Sequence, residues 1–115
     1  MLIEFDKMET TVIPHMRGGE KEVSAKMYVD PQNKIMRGRL IPGATIGMHT
    51  HETSSEIIYI LSGKGKILYD DGCEPLEAGS CHYCPKGHAH SLMNDSPEGD
   101  LCFFAVVPEH GPEAE

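Results

Sequence analysis

Apolar and polar residues alternate along most of this chain in short runs, and turn-forming residues interrupt them about every ten positions. EVSAKMYV (22–29) is rich in β-formers and reads as a strand. DPQN (30–33) turns the chain, with proline in the second position. KIMRGRLI (34–41) is the next strand: Met36, Gly38 and Leu40 share one face, and Ile35, Arg37, Arg39 and Ile41 the other. Pro42-Gly43 ends it. EIIYIL (56–61) and KILYD (66–70) follow, separated by the turn SGKG, and Asp71-Gly72 signals a hairpin. CEPLEAGS leads into a short strand at SCHYC (80–84), and HAHSLMN (88–94) alternates again. LCFFAVV (101–107) is the last strand. Helical periodicity nowhere exceeds about two turns. The pattern predicts an all-β sandwich or barrel over 22–107, preceded by a lead-in at 1–21 with at most one short strand. A flexible acidic tail is expected at 108–115.

EIIYIL is apolar on both faces. Glu56, Ile58 and Ile60 face one way, and Ile57, Tyr59 and Leu61 the other. Such a strand needs cover on its outer side. A second subunit is the expected cover and the N-terminal segment the alternative, so a homodimer is predicted.

Composition narrows the setting. The 115 residues fit one domain, and the scarcity of aromatics (no Trp, four Tyr, three Phe) leaves the core to Ile, Leu, Val and Met. A formal net charge of −8 argues against a nucleic-acid partner and against an anionic membrane surface. No apolar run is long enough to span a bilayer, and MLIEFDKMET lacks a basic region ahead of an apolar stretch. A cytoplasmic location is the expectation. Cys73, Cys81, Cys84 and Cys102 are then free thiols.

The chemistry concentrates in two stretches. In GATIGMHTHETSSEIIYILSG (43–63), His49 and His51 are two apart, so a strand projects both imidazoles to one side. A polar turn at 52–55 and a hairpin would return Glu56 to their side. Two imidazoles and a carboxylate on one face suggest a divalent metal, although the same three residues also suit a solvated face. Downstream, GSCHYCPKGHAHSLMN (79–94) offers His88 and His90, which share strand parity. Three imidazoles with one carboxylate suit a six-coordinate metal with two adjacent open positions: Mn, Fe, Co, Ni or Zn.

These two stretches resemble the paired signatures of the cupin superfamily. The first reads Gly43, five residues, His49-Thr50-His51, four residues, Glu56, six residues, Gly63. The second reads Gly79, five residues, Pro85-Lys86-Gly87, two residues, His90, three residues, Asn94. The fifteen-residue spacer at 64–78 matches compact single-domain members. The resemblance implies a double-stranded β-helix, or jelly roll, with one divalent transition metal held by His49, His51, Glu56 and His90. It implies a small metalloenzyme acting on an oxygen-chelating organic molecule by dioxygenase-, decarboxylase-, isomerase- or lyase-type chemistry. Oxygenase-type chemistry is the first expectation, and a non-catalytic binding or sensing barrel is the alternative. Glu56 and His88 are the weak candidates for acid–base work, a surface role being favoured for His88.

The remaining residues draw quieter expectations. Cys81 and Cys84 form a C-x-x-C, but positions three apart on a strand face opposite sides, so buried thiols rather than a zinc or redox pair are expected. Met48 and Met93 lie beside the ligands and are candidates to line a pocket. Arg37 and Arg39 could reach a substrate carboxylate if they pointed inward, but a solvated edge is favoured. His15, His82 and His110 have no partner that the sequence identifies.

Overall fold

In the computed structural model, which describes residues 1–111, ten strands form two facing antiparallel sheets. The strands are β1 (Thr11–Pro14), β2 (Glu22–Val29), β3 (Asn33–Leu40), β4 (His49–Thr50), β5 (Glu56–Ser62), β6 (Lys64–Tyr69), β7 (Gly72–Glu77), β8 (Cys81–Cys84), β9 (Ala89–Met93) and β10 (Leu101–Pro108). The larger sheet runs β1-β2-β3-β10-β5-β8 and the smaller β4-β9-β6-β7. This is the double-stranded β-helix. The only helical elements among the described residues are 3-10 turns at Phe5–Lys7 and Met16–Gly18, and no helix is long and apolar enough to cross a membrane.

The alternation read from the sequence sets the layers. Val23 and Ala25 on β2, Met36 and Leu40 on β3, Ile58 and Ile60 on β5, and Phe103 and Ala105 on β10 all point between the sheets and are buried. Ile67, Leu76 and Leu92 meet them from the smaller sheet. Ile57, Tyr59 and Leu61 face outward and are exposed. Arg37 and Arg39 share that outer surface, paired with Asp6 at 3.1 Å and Asp100 at 3.7 Å, so neither reaches the interior.

Three expectations change. β4 and β5 do not form a hairpin: β4 pairs with β9 in the smaller sheet, and β5 lies between β10 and β8 in the larger. The polar stretch at 52–55 therefore crosses from one sheet to the other. The β6–β7 hairpin turns at Asp70-Asp71, because Tyr69 and Gly72 are paired and Asp70 takes the left-handed φ of 50°. The stretch 72–77 is itself a strand, β7. The lead-in supplies β1, which adds to the edge of the larger sheet through β2. Beyond β10, Glu109 and His110 still bond to the barrel, through Gln32 O at 2.7 Å and Thr53 O at 2.8 Å. The remainder of the expected tail, 112–115, lies outside the described residues.

Candidate metal centre

Both sheets contribute to one cluster. His49 on β4 is directly opposite His90 on β9. His51 lies just past β4, but its backbone continues the pairing: its N–H donates to His88 O at 3.0 Å, and its carbonyl accepts from Gly87 N at 2.6 Å. Glu56 opens β5 on the facing sheet, and its side chain points inward with Ile58 and Ile60. Crossing between sheets, not a hairpin, therefore brings the carboxylate to the imidazoles.

The ligating atoms of His49, His51, Glu56 and His90 all lie within 4.8 Å of one another. Glu56 Oε1 is 2.9 Å from His90 Nε2, 3.1 Å from His51 Nε2 and 3.9 Å from His49 Nε2. His90 Nε2 is 3.0 Å from His51 Nε2 and 3.1 Å from His49 Nε2. Neighbouring ligands around an ion held at about 2.1 Å are themselves about 3 Å apart, which is this spacing. Three of the four side chains are buried, and His49 is nearly so.

The far side of each ring is also held. His49 Nδ1 lies 2.7 Å from Gly47 O, a bond that only an Nδ1–H can make, so the neutral ring presents a lone pair at Nε2. His51 Nδ1 is 2.9 Å from Ser54 Oγ, and His90 Nδ1 is 3.1 Å from His82 Nε2. Burial pushes the Glu56 carboxyl up, but the three imidazoles packed around it outweigh that and hold the group well below the usual carboxylate range. Burial, joined by the neighbouring His49 and His51, holds the His90 imidazole below its ordinary value against the pull of Glu56. The result is an ionised carboxylate among imidazoles, with lone pairs aimed at one point. That donor set fits a divalent transition ion.

His49, His51 and Glu56 line a cleft of about 610 Å3, walled by Met16, Met36 and Ile46 and reaching Arg17, Lys34 and Glu52, while His90 is not on its wall. Met48 is exposed and Met93 half-buried, and neither lines the cleft. Met36 was readable as an inward position on β3. Met16 was not, because it arrives on an irregular turn. That turn is fixed by Gly47 N donating to Met16 O at 3.0 Å and Thr45 N donating to Glu20 O at 3.0 Å. Gly47 is required there, since a Cβ would run into the Arg17 carbonyl.

His88 stands apart from the cleft. It is half-buried, 2.6 Å from Asp70 and stacked on Tyr69. His82, for which the sequence offered no partner, is buried against His90 and Glu74. His110 bonds Ser55 Oγ at 2.8 Å, and His15 Nδ1 bonds Gly19 O at 3.1 Å. Cys81 and Cys84 lie on opposite faces of β8 as expected, but only Cys84 is buried: Cys81 is exposed because its face of the strand points outward, which corrects the expectation of two buried thiols.

Comparison with known proteins agrees with this architecture. A family model described as "Cupin domain" matches residues 36–107. An "Oxalate-binding protein" from Thermotoga maritima is 34% identical over 114 residues, covering 93% of each chain. A crystal structure described as a predicted oxalate decarboxylase, also from Thermotoga maritima, superposes with a TM-score of 0.88 at 30% identity, covering 95% of this chain and 99% of the other. An RmlC-like cupin from Shewanella frigidimarina shares the fold at a TM-score of 0.78 and 14% identity, covering 94% and 89% of the two chains. With the family match spanning most of the barrel, and a relative of this similarity over nearly the whole chain, the protein belongs to the cupin family.

Proposed function

We propose that His49, His51, Glu56 and His90 hold one divalent transition metal, and that the cleft binds a small carboxylate through two oxygens at that metal. The observation that carries this is the convergence of three imidazole Nε2 atoms and one ionised carboxylate beside an open cleft. Bound there, the metal supplies Lewis acidity and an anchor for paired oxygens. Arg17 and Lys34 place cations on the cleft wall, suited to an anionic ligand. Two of the acids on that wall are already engaged: Asp30 accepts from Gln32 N and Asn33 N, and Glu109 from Gly111 N. Oxalate is the first ligand to test, because the similar Thermotoga maritima protein is named for binding it.

Turnover is a second reading. Glu52 lines the cleft and, among the described residues, makes no hydrogen bond or ion pair. A carboxyl in that position could hand a proton to a product of decarboxylation. Oxygenase-type chemistry has no comparable support from the cleft. The exposed row Ile57, Tyr59 and Leu61 supports a homodimer as part of the same proposal.

Calorimetric titration of manganese- or cobalt-loaded protein with oxalate tests the reading, with formate and carbon dioxide measured in parallel. Binding that requires metal, and that His51→Ala reduces on the order of 100-fold or more, is expected, since even residues behind the ligands cost 10–100-fold. Oxalate binding unchanged by chelators, or no metal uptake by folded wild type, overturns it. Formate release abolished by Glu52→Gln with binding intact would add turnover.

A further inference from the structure

His82 and Glu74 lie outside the His49, His51, Glu56 and His90 set and off the cleft wall, although His82 also comes within ligand distance of Cys84 and His90. His82 is 3% exposed on β8, at the edge of the larger sheet. Its Nδ1 lies 2.8 Å from Glu74 Oε1, on the edge strand β7 of the smaller sheet. Its Nε2 lies 3.1 Å from His90 Nδ1. The His82 and His90 rings are stacked, 5.3 Å apart at 29°, and Tyr69 meets the other side of His82 edge-on at 5.3 Å. A buried imidazole packed between two rings has little freedom to turn.

The hydrogen bonds then run in one direction. A carboxylate only accepts, so His82 must donate from Nδ1 to Glu74. With its proton on Nδ1 alone, His82 has a lone pair at Nε2, which accepts from His90 Nδ1–H at 3.1 Å. In that arrangement a metal meets a lone pair, not a hydrogen, at His90 Nε2, the position for which Glu56 Oε1 at 2.9 Å holds a proton when no metal is bound. We propose that Glu74 and His82 are positioning residues that fix the tautomer and orientation of His90 and make it a stronger metal ligand. The charge of Glu74, half-exposed at the protein surface, reaches the metal site through two stacked imidazoles. Neither residue touches substrate.

This inference rests on the metal reading above, and the rival is a purely structural tie between two sheet edges. Three variants separate them: Glu74→Gln, His82→Phe and His82→Gln. Glu74→Gln keeps an acceptor for His82 but removes the charge. His82→Phe removes the link, and His82→Gln restores both an acceptor and a donor. Cobalt affinity is read by chelator competition, the visible cobalt spectrum reports the ligand field, and melting of the metal-free protein reports the fold. In addition, nitrogen NMR of the zinc-loaded protein shows whether the His90 proton sits on Nδ1, toward His82.

The expected result is His90 protonated at Nδ1 in zinc-loaded wild type. His82→Phe loses 10–100-fold in cobalt affinity, Glu74→Gln loses less, and both shift the cobalt spectrum. His82→Gln recovers part of the affinity. Variants whose melting falls while affinity and spectrum hold establish the structural tie and overturn the proposal, as does an Nδ1 without a proton on His90 in zinc-loaded wild type. If His82→Phe does not fold, unchanged affinity and spectrum in Glu74→Gln overturn it equally. Wild type that takes up no cobalt sinks the metal reading itself, and this proposal with it. Wild type that binds while the variants match it sinks the positioning role alone.

Discussion

Cys84 shows how the barrel disarms a reactive side chain. Its thiol faces inward beneath the metal cluster, where burial first, then the carboxylates of Glu56 and Asp70, push it up to about 11. A thiol held that high is almost wholly protonated near neutrality, and the thiolate is the reactive form. Cys73 and Cys81 are exposed. Alkylation of the native protein at pH 8 is therefore expected to label Cys73 and Cys81 quickly and Cys84 only after unfolding, as peptide mass mapping would show. Rapid native labelling of Cys84 would contradict its placement. Strand parity already separated the two halves of the C-x-x-C in the sequence. The ligand histidines were legible for a similar reason: the spacing of His49, His51, Glu56 and His90 is local to two short stretches. His82 was not legible, because Glu74 lies eight residues away on a strand of the other sheet and His90 eight residues beyond, so only the closed barrel brings the three together.

At the level of elements, the strands with regular alternation could be read to within a residue or so. β2 spans 22–29 as expected, and β3 is displaced by one position. β7 was hidden by Pro75 and by a turn-like composition. Proline has no N–H to give to a ladder, and β7 tolerates it as the outermost strand of the smaller sheet. The cross-sheet path from His51 to Glu56 was hidden because a polar four-residue turn fits a hairpin as well as a crossover. Gly38, a small residue on the inward face of β3, was visible without a reason, and the reason is Phe103. The two are paired across β3 and β10, and the fully buried Phe103 ring occupies the space over the glycine. A Cβ at Gly38 would overlap that ring, although the backbone there is not left-handed. Gly38→Ala is thus expected to destabilise by about 1–3 kcal/mol through overpacking, read as a lower urea midpoint at unchanged slope. A loss below about 0.5 kcal/mol, the range of neutral surface changes, would mean that the ring relaxes freely.

For the molecule as a whole, the outer face of the larger sheet is where a prediction about assembly rests. The N-terminal segment covers part of it: Phe5 meets Phe104 on β10 edge-on at 6.2 Å, and Arg37 lies over the Phe5 ring at 5.5 Å. That cover stops short of β5 and β8. Ile57, Tyr59 and Leu61 remain 41–44% exposed, and Tyr83, paired directly with Ile57, is 56% exposed. Both covers weighed from the sequence thus have a share: the segment takes the β3–β10 side and leaves an apolar strip on β5 and β8. Contiguous strips of this kind are uncommon on monomers, and large aromatics such as Tyr59 and Tyr83 are enriched where protein surfaces meet. A homodimer that buries this strip is expected, with sedimentation giving twice the chain mass at micromolar concentration. Tyr59→Asp would place a charge in the middle of the contact, and it should yield monomers whose β-sheet circular dichroism and metal uptake match wild type. The cleft opens between the sheets and not on this outer face, so assembly and metal binding should separate cleanly. Wild type that sediments as a monomer, or a Tyr59→Asp protein that remains dimeric, would place the interface elsewhere or remove it.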